Sequence, residues 1–144
     1  MIGDAAVKLM LRNVAERVPD RARKTMHKYA DLIVADAKLF VPVDTHNLEE
    51  SIHKVVSYGF RGRLQIDIEA GGFINGVDVD EYALMIHENY EALHPGAGTA
   101  AKRLANPGVY IGSKYLERAY EKHIDALRAD MIVAINEGIA EANP

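Results

Sequence analysis

The chain contains no cysteine and no tryptophan. Without cysteine there can be no disulfide bond, no thiol nucleophile and no cysteine-ligated zinc site. No apolar run approaches the roughly 18 residues needed to cross a bilayer, so we expect no membrane contact. Asp4 and Lys8 interrupt the apolar character of the first residues, which therefore lack the layout of a signal peptide. This pattern favours a protein of the cytoplasm.

Positive charge is also scarce, with 17 basic against 21 acidic residues and a formal net charge of -4. Phosphate contacts require clustered cations, so this balance argues against a nucleic-acid-binding protein. The single basic cluster, which contains Arg21, Arg23, Lys24 and Lys28, is typical of a solvated helix face. A chain of 144 residues is long enough for one domain with a real core, and we interpret 1–144 as a single domain.

The N-terminal part, 3–41, has the pattern of two helices. Apolar residues recur at helical spacing over 3–18, and Pro19 separates this segment from a second helix that begins at Asp20. The second helix carries one apolar stripe, and Pro42 ends it after Phe40 or Val41. The members of that stripe are Ala22, Met26, Tyr29, Ile33, Ala37 and Phe40.

A β-hairpin is predicted over 52–70. Three apolar residues in its second half alternate strictly with Gln65, Asp67 and Glu69, and Gly59 and Gly62 separate the two halves. One face of such a hairpin packs inward and the other is exposed and acidic. Before it, Asp44, Thr45 and Asn47 could cap a turn, and Asn47 with Glu50 has capping-box spacing.

The second half of the chain has weaker signals. We expect a short strand at 77–79, a helical turn at 82–88 and a long loop at 89–112 that a helical turn at 99–105 interrupts. A last helix then spans 113–137, with Ser113 and Gly138 as its caps. The fold class is α+β: a small antiparallel sheet packed against two or three helices, with the long loop before the C-terminal helix. Free strand edges in so small a sheet are candidates for pairing between subunits.

Candidates for catalysis are few. His87, Glu88 and His94 could supply metal ligands, but their spacing is not the i, i+4 pair of zinc hydrolases, and hydrogen bonding within the fold is the favoured role. Ser51 and Ser113 lack a glycine elbow around them. The segment Gly96-x-Gly98-Thr99 lacks the lysine of a phosphate loop. The sequence therefore predicts a protein that is not an enzyme, with no catalytic residue, no metal and no cofactor.

Two groups of residues suggest a family. The first follows an alanine-rich helix and reads Pro-Val-Asp-Thr-His-Asn-Leu-x-x-Ser-Ile: Ala37, Lys38, Pro42, Val43, Asp44, Thr45, Asn47, Leu48, Ser51 and Ile52. The second is spread over the remainder of the chain: Tyr82, Ala83, His87, Glu88, His94, Pro95, Gly98, Lys114, Tyr115, Leu116, Glu117 and Ala119. In order and spacing, roughly over 25–125, these residues resemble the neck proteins of tailed bacteriophages, the minor tail-component or tail-completion proteins of the head–tail connector.

The chain departs from that family pattern at two places. The family usually has glycine after the threonine, where this chain has His46, so we expect a left-handed backbone at His46 that costs about 1 kcal/mol. The segment 99–111 is also longer than the simplest family pattern.

The resemblance implies a structural ring subunit, commonly a hexamer or a multiple, located in the virion between the portal side of the capsid and the tail after assembly in the host cytoplasm. Its implied partners are copies of itself, the other neck proteins (adaptor or stopper and tail terminator) and DNA that passes without sequence-specific binding. Asp67 and Glu69 are predicted to face that channel, because like charges repel DNA. Two alternatives remain open: an adaptor module that binds a peptide along its sheet edge, and a metal-dependent hydrolase that uses His87, Glu88 and His94.

Overall fold

A computed structural model describes residues 7–12, 20–43, 46–59, 63–90 and 96–142. It is a mixed fold of helices and antiparallel strands with a long C-terminal helix, which confirms the predicted fold class. The elements, in chain order, are β1 (Val7–Arg12), α1 (Asp20–Phe40), α2 (Asn47–Ser51), β2 (His53–Tyr58), β3 (Leu64–Ala70), β4 (Phe73–Ile74), β5 (Val77–Asp78), α3 (Asp80–Asn89), α4 (Ala97–Ala105) and α5 (Tyr115–Ala142).

The main sheet has three antiparallel strands in the order β1-β3-β2. Its two later strands are the predicted hairpin, with His53 opposite Glu69 and Tyr58 opposite Leu64. On the helix-facing side of β3, Leu64, Ile66 and Ile68 are completely buried, as their strict alternation predicts. The short strand expected at 77–79 is β5, which pairs with β4 in a separate two-stranded sheet.

The predicted first helix is wrong where the structure describes it. Within 3–18, residues 7–12 form β1, which pairs antiparallel with β3 so that Leu9 lies opposite Ile68. The sequence Val-Lys-Leu-Met-Leu-Arg also fits a strand, and a short apolar run cannot be assigned to helix or strand by its period alone. A long-range partner, β3, decides the conformation, and this pairing places β3 in the centre of the sheet.

Helices α1 and α5 run antiparallel and form the main helical layer. The predicted apolar stripe of α1 faces inward, with Phe40 only partly buried at its end, and the helix ends at Phe40, as expected from Pro42. Contacts join α1 to α5 along their length: Arg21 with Glu137, Tyr29 with Asp130, Asp36 with His123, and Phe40 with Arg118. Because residue numbers rise along α1 as they fall along α5, these pairs fix one register between the helices.

Three predicted boundaries need correction. The helical turn expected at 99–105 is part of a nine-residue helix, α4, that starts at Ala97 and includes Gly98, because its alanines and Leu104 favour helix more strongly than this glycine opposes it. The last helix begins at Tyr115 and continues through Gly138, where glycine costs only about 1 kcal/mol in a helix. Asn47 does not cap a turn, because it is the first residue of α2 and His46 occupies the cap position without a side-chain hydrogen bond.

The core lies between the helical layer and the sheet. It joins α1 and α5 to the buried face of β3, and α3 contributes Ala83 and Ile86. None of the helices in the described part of the chain combines the length and apolar character required to span a membrane.

Candidate interaction surface

Strand β2 forms one edge of the main sheet, and no described residue pairs with its outer side. The N–H of Gly59 donates to the carbonyl oxygen of Arg63 at 2.8 Å. Since hydrogen-bonded and non-bonded pairs alternate in an antiparallel ladder, the backbone groups of His53, Val55 and Ser57 face β3. The N–H and C=O groups of Lys54, Val56 and Tyr58 therefore point away from the sheet. This row of backbone groups can pair with a further strand.

The side chains of β2 make this edge apolar on both faces of the sheet. Val55 is 41% exposed, Val56 38% and Tyr58 55%. Val56 and Tyr58 share the helix-facing side with the buried Ile66 and Leu64 opposite them in the ladder. Exposed apolar side chains beside unpaired backbone groups are unusual on a monomer, which normally blunts its edge strands with charge or proline.

Lys54 connects the beginning of β2 to α1. Its Nζ lies 2.7 Å from Asp31 Oδ1 and 3.1 Å from His27 Nδ1, both on α1. This contact fastens the beginning of the strand to α1. The far end, from Val56 to Tyr58, remains exposed.

Asp67 and Glu69 are buried in the single chain, so the exposed acidic face predicted for the hairpin is wrong; their place along a channel stays a prediction. They are 8% and 6% exposed, and their strand, β3, has β1 on one side and β2 on the other. Gln65 Nε2 donates to Asp67 Oδ1 at 3.0 Å, and His53 Nε2 lies 3.4 Å from Glu69 Oε2. The alternation in the sequence predicts two faces for β3 but does not show what packs on the polar one.

The first group of family-like residues surrounds the exit from α1. Pro42 and Val43 are buried, and Thr99 of α4 holds Val43 by two hydrogen bonds. Its hydroxyl accepts from the N–H of Val43 at 3.0 Å and donates to the carbonyl oxygen of Val43 at 2.9 Å. A Cβ atom on Gly98 would lie only 2.9 Å from that same carbonyl oxygen. Glycine at 98 therefore permits the close approach that Thr99 exploits.

The turn into α2 has the backbone that the sequence led us to expect. His46 has φ 65° and ψ -7°, which is left-handed. Leu48 and Ser51 are buried, and Ser51 Oγ donates to the carbonyl oxygen of Leu48 at 2.7 Å while accepting from the N–H of Gly71 at 3.1 Å. Asn47 Oδ1 accepts from the side chain of Asn75 at 3.1 Å. Asp44 and Thr45 lie outside the described residues.

The second group meets where α3 packs on the beginning of α5. The Tyr115 hydroxyl donates to the carbonyl oxygen of Ala83 at 2.9 Å, and the rings of His87 and Tyr115 meet edge to face at 4.9 Å. Lys114 N–H donates to the carbonyl oxygen of His87 at 2.8 Å, and its Nζ bonds Glu88. Leu116 is buried and Tyr82 packs against the core. His94 and Pro95 lie outside the described residues.

Charge pairing shifts the pKa values in this cluster. The hydrogen bond from Lys114, followed by that from His87, lowers the pKa of Glu88 below its ordinary value. Glu88 in turn raises the pKa of Lys114. Burial raises the pKa of the Tyr115 hydroxyl. The cluster is thus a fixed joint in which the ion pair and a neutral phenol are all favoured at neutral pH.

The metal-site alternative gains nothing from this geometry. His87 is buried, and its Nδ1 is 2.9 Å from Glu88 Oε1, whose other oxygen binds Lys114. Among the described residues, no group of three or more histidine or carboxylate side chains is placed to hold a metal ion.

Sequence reasoning missed the cations that hold the chain around α4 and α5. Lys102 Nζ donates to the carbonyl oxygens of Lys38 and Val41 at the end of α1, and burial lowers the pKa of Lys102. Arg118 donates to the carbonyl oxygens of Tyr110 and Ser113 and stacks between the rings of Phe40 and Tyr110. No local pattern marks these roles, because most of the acceptors are backbone atoms. For Thr99 the only signal was the adjacent Gly98.

Comparison with known proteins yields no match: no family model, no curated protein and no solved structure resembles the chain at a significant level.

Proposed function

We propose that this chain is a structural protein of the tailed-bacteriophage neck, a head–tail connector or tail-completion subunit that forms a closed ring. The ring, a hexamer or a multiple, joins the portal side of the capsid to the tail and surrounds the path of the DNA. In this role the chain belongs to the virion and assembles in the host cytoplasm. Its neighbours are adaptor or stopper and tail-terminator proteins.

The observation that carries this proposal is the outer edge of β2, with which none of the described residues pairs. Lys54, Val56 and Tyr58 present their backbone groups outward, and the strand carries exposed apolar side chains on both faces. A protein that functions as a monomer normally protects its edge strands with charged residues, proline or a bulge. A ring of copies closes such edges, since each copy offers a surface that another covers.

The use made of the family-like residues supports a structural role. Ser51, Tyr115 and Lys114 direct their hydrogen bonds to backbone or side-chain groups of the same chain. Polar groups that are engaged in this way hold neighbouring elements together. The proposal does not depend on Asp67 and Glu69, which are buried in the single chain.

The same edge favours one second candidate, an adaptor that binds an extended peptide as an added strand. The two roles differ in what occupies the edge of β2. A neck subunit meets folded virion proteins in fixed stoichiometry, whereas an adaptor binds a free peptide in solution.

The proposal is tested in the phage that encodes the chain. Without the protein, we expect DNA-filled heads and separate tails in electron micrographs of lysates, and loss of infectious particles. Supplying the wild-type chain restores joined particles. Val56→Asp restores few, because a carboxylate placed beside the unpaired edge must be desolvated when the edge is covered.

Leu104→Asp is the matched control. Leu104 is 85% exposed on α4, so this substitution introduces the same charge at an exposed site away from β2. It should restore joined particles as the wild type does. Normal joining of heads to tails without the protein would refute the proposal. If Val56→Asp restored joined particles fully, the β2 edge would not be the surface that the neck subunit uses for assembly.

A further inference from the structure

We infer that the free chain pairs with a second copy of itself through the outer edge of β2, as an antiparallel two-fold dimer. The inference needs only the geometry of this edge and does not depend on the proposed role. According to this inference, a second copy of the chain occupies the β2 edge when no other partner is present.

The backbone sets the register of this dimer. Only Lys54, Val56 and Tyr58 present N–H and C=O groups outward, and an antiparallel hydrogen-bonded pair requires outward groups from both strands. A two-fold axis at Val56 satisfies all of them. Val56 then faces Val56 of the second copy, and Lys54 faces Tyr58 in both directions. On the opposite face of the sheet, Val55 lies beside Ser57 of the second copy.

The side chains fit this register. The exposed Val56 of each copy packs against Val56 of the other across the two-fold axis. The aliphatic stem of Lys54 lies along the ring of Tyr58 of the second copy. Val55, 41% exposed in the single chain, gains a neighbour on the other face. The three exposed apolar side chains of β2 are thus covered by one symmetric contact.

Charge does not oppose the two-fold pairing. Asp31 already pairs with Lys54 at 2.7 Å. The two Lys54 residues lie four positions apart along the paired strands, about 14 Å at 3.4 Å per residue, which exceeds the Debye length of about 8 Å at physiological salt.

The alternative partner is β1 of another copy. Both β1 and β2 are antiparallel to β3, so they run in the same direction. If both copies keep their helices on the same face of the joined sheet, β2 of one copy and β1 of the other pair in parallel. The two-fold contact is antiparallel, and an antiparallel ladder is slightly more stable per residue than a parallel one.

The dimer should be weak. Six residues of β2 per copy are far fewer than the roughly 20–30 residues that each partner contributes to a stable interface. We therefore expect a concentration-dependent equilibrium between monomer and dimer, which another strand-pairing partner can open.

A charge-swap experiment tests the two-fold register. Val56→Lys and Val56→Glu each place like charges opposite one another across the axis, so each variant alone should dimerise at least about tenfold more weakly than wild type. An equimolar mixture should dimerise again, because lysine then faces glutamate. Sedimentation velocity measures all three samples, and circular dichroism verifies their folding.

Disulfide trapping provides a second test, since the wild-type chain has no cysteine. Hydrogen-bonded antiparallel partners lie about 5.5 Å apart between Cα atoms, within disulfide range. Val56→Cys should therefore cross-link to itself under mild oxidation, and the exposed control Leu104→Cys should do so far less. A monomeric wild type at all concentrations, no recovery in the mixture, or cross-linking of Val56→Cys no greater than that of Leu104→Cys would each overturn the inference.

These outcomes are separable from the test of function in particles. Loss of the solution dimer leaves the need for the protein in joined particles unchanged. A chain that dimerises but is dispensable for particles would refute the neck role alone.

Discussion

His46 stores strain at a single residue. Its φ of 65° lies in the left-handed region, yet its carbonyl oxygen accepts the N–H of Glu50 at 2.9 Å to begin α2. A residue with a Cβ atom pays about 1–2 kcal/mol for this conformation, and glycine does not. The turn therefore keeps its geometry because the surrounding contacts of α2 hold it.

We predict that His46→Gly raises the free energy of unfolding by up to about 1 kcal/mol and that His46→Val, which is β-branched, lowers it by about 1–2 kcal/mol. Urea titration followed by circular dichroism measures both. A glycine variant less stable than the valine variant would show that the left-handed backbone is not what limits this position.

The left-handed backbone at His46 could be anticipated because one position in a family-like segment normally carries glycine. The roles of Lys102 and Arg118 could not, since Lys102 binds the carbonyl oxygen of Lys38, 64 residues away, and Arg118 contacts that of Phe40, 78 residues away. A side chain that binds backbone far along the chain leaves no local pattern.

At the scale of elements, α4 is positioned by one buried hydroxyl. Thr99 satisfies both backbone groups of Val43, at 3.0 and 2.9 Å, and is 2% exposed. We predict that Thr99→Val, which keeps the shape and removes the hydroxyl, destabilises the fold by about 1–3 kcal/mol, because Val43 then retains buried and unpaired groups.

Thr99→Ser is the matched control, because it keeps the hydroxyl and loses only a methyl group. It should fall much closer to wild type in thermal and urea unfolding. Equal losses for the two variants would mean that packing, and not hydrogen bonding, fixes α4 against the chain that leaves α1.

The elements also show where periodicity succeeds. The long stripe of α1 and the strict alternation of β3 each specify one structure, because many positions agree. The six residues of β1 fit two periods, and only their pairing with β3 decides between them. Alternation in β3 also predicted an exposed polar face, whereas Asp67 and Glu69 are 8% and 6% exposed.

At the scale of the whole molecule, the Glu88–Lys114 pair should make stability depend on pH. The pKa of Glu88 is lowered from 4.5 by Lys114, so this contribution is complete above 4.5 and is lost as pH falls through the lowered value. The pKa of Lys114 is raised from 10.5, so its contribution is complete below 10.5 and is lost as pH rises through the raised value.

We predict that Glu88→Gln is less stable than wild type by a small and constant margin at neutral pH, because the pair is partly exposed and screened by solvent. The margin should close as the solution is acidified through the lowered pKa of Glu88. Paired urea titrations of the two proteins over that range measure it. A margin that widens in acid would contradict the assigned cause.

The overall architecture was largely readable from sequence, and the surface was not. Core positions repeat along a helix or strand, so their pattern reveals them. The interaction surface depends on which strand of the sheet is central, and that is a property of pairing between β1 and β3, which are more than 50 residues apart in the chain. The exposure of Val56 and Tyr58 follows from that arrangement and from how far α1 extends.

The cross-helix pairs from Arg21–Glu137 to Phe40–Arg118 have a mechanical consequence. Sliding α1 along α5 by one turn would separate every pair at once, so the two helices behave as one beam about 30 Å long, given a rise of 1.5 Å per residue. A displacement of the helix pair at the end that carries Arg21 therefore also moves the end that carries Arg118. A protein bound at one end of the α1–α5 pair is therefore coupled mechanically to a protein bound at the other end.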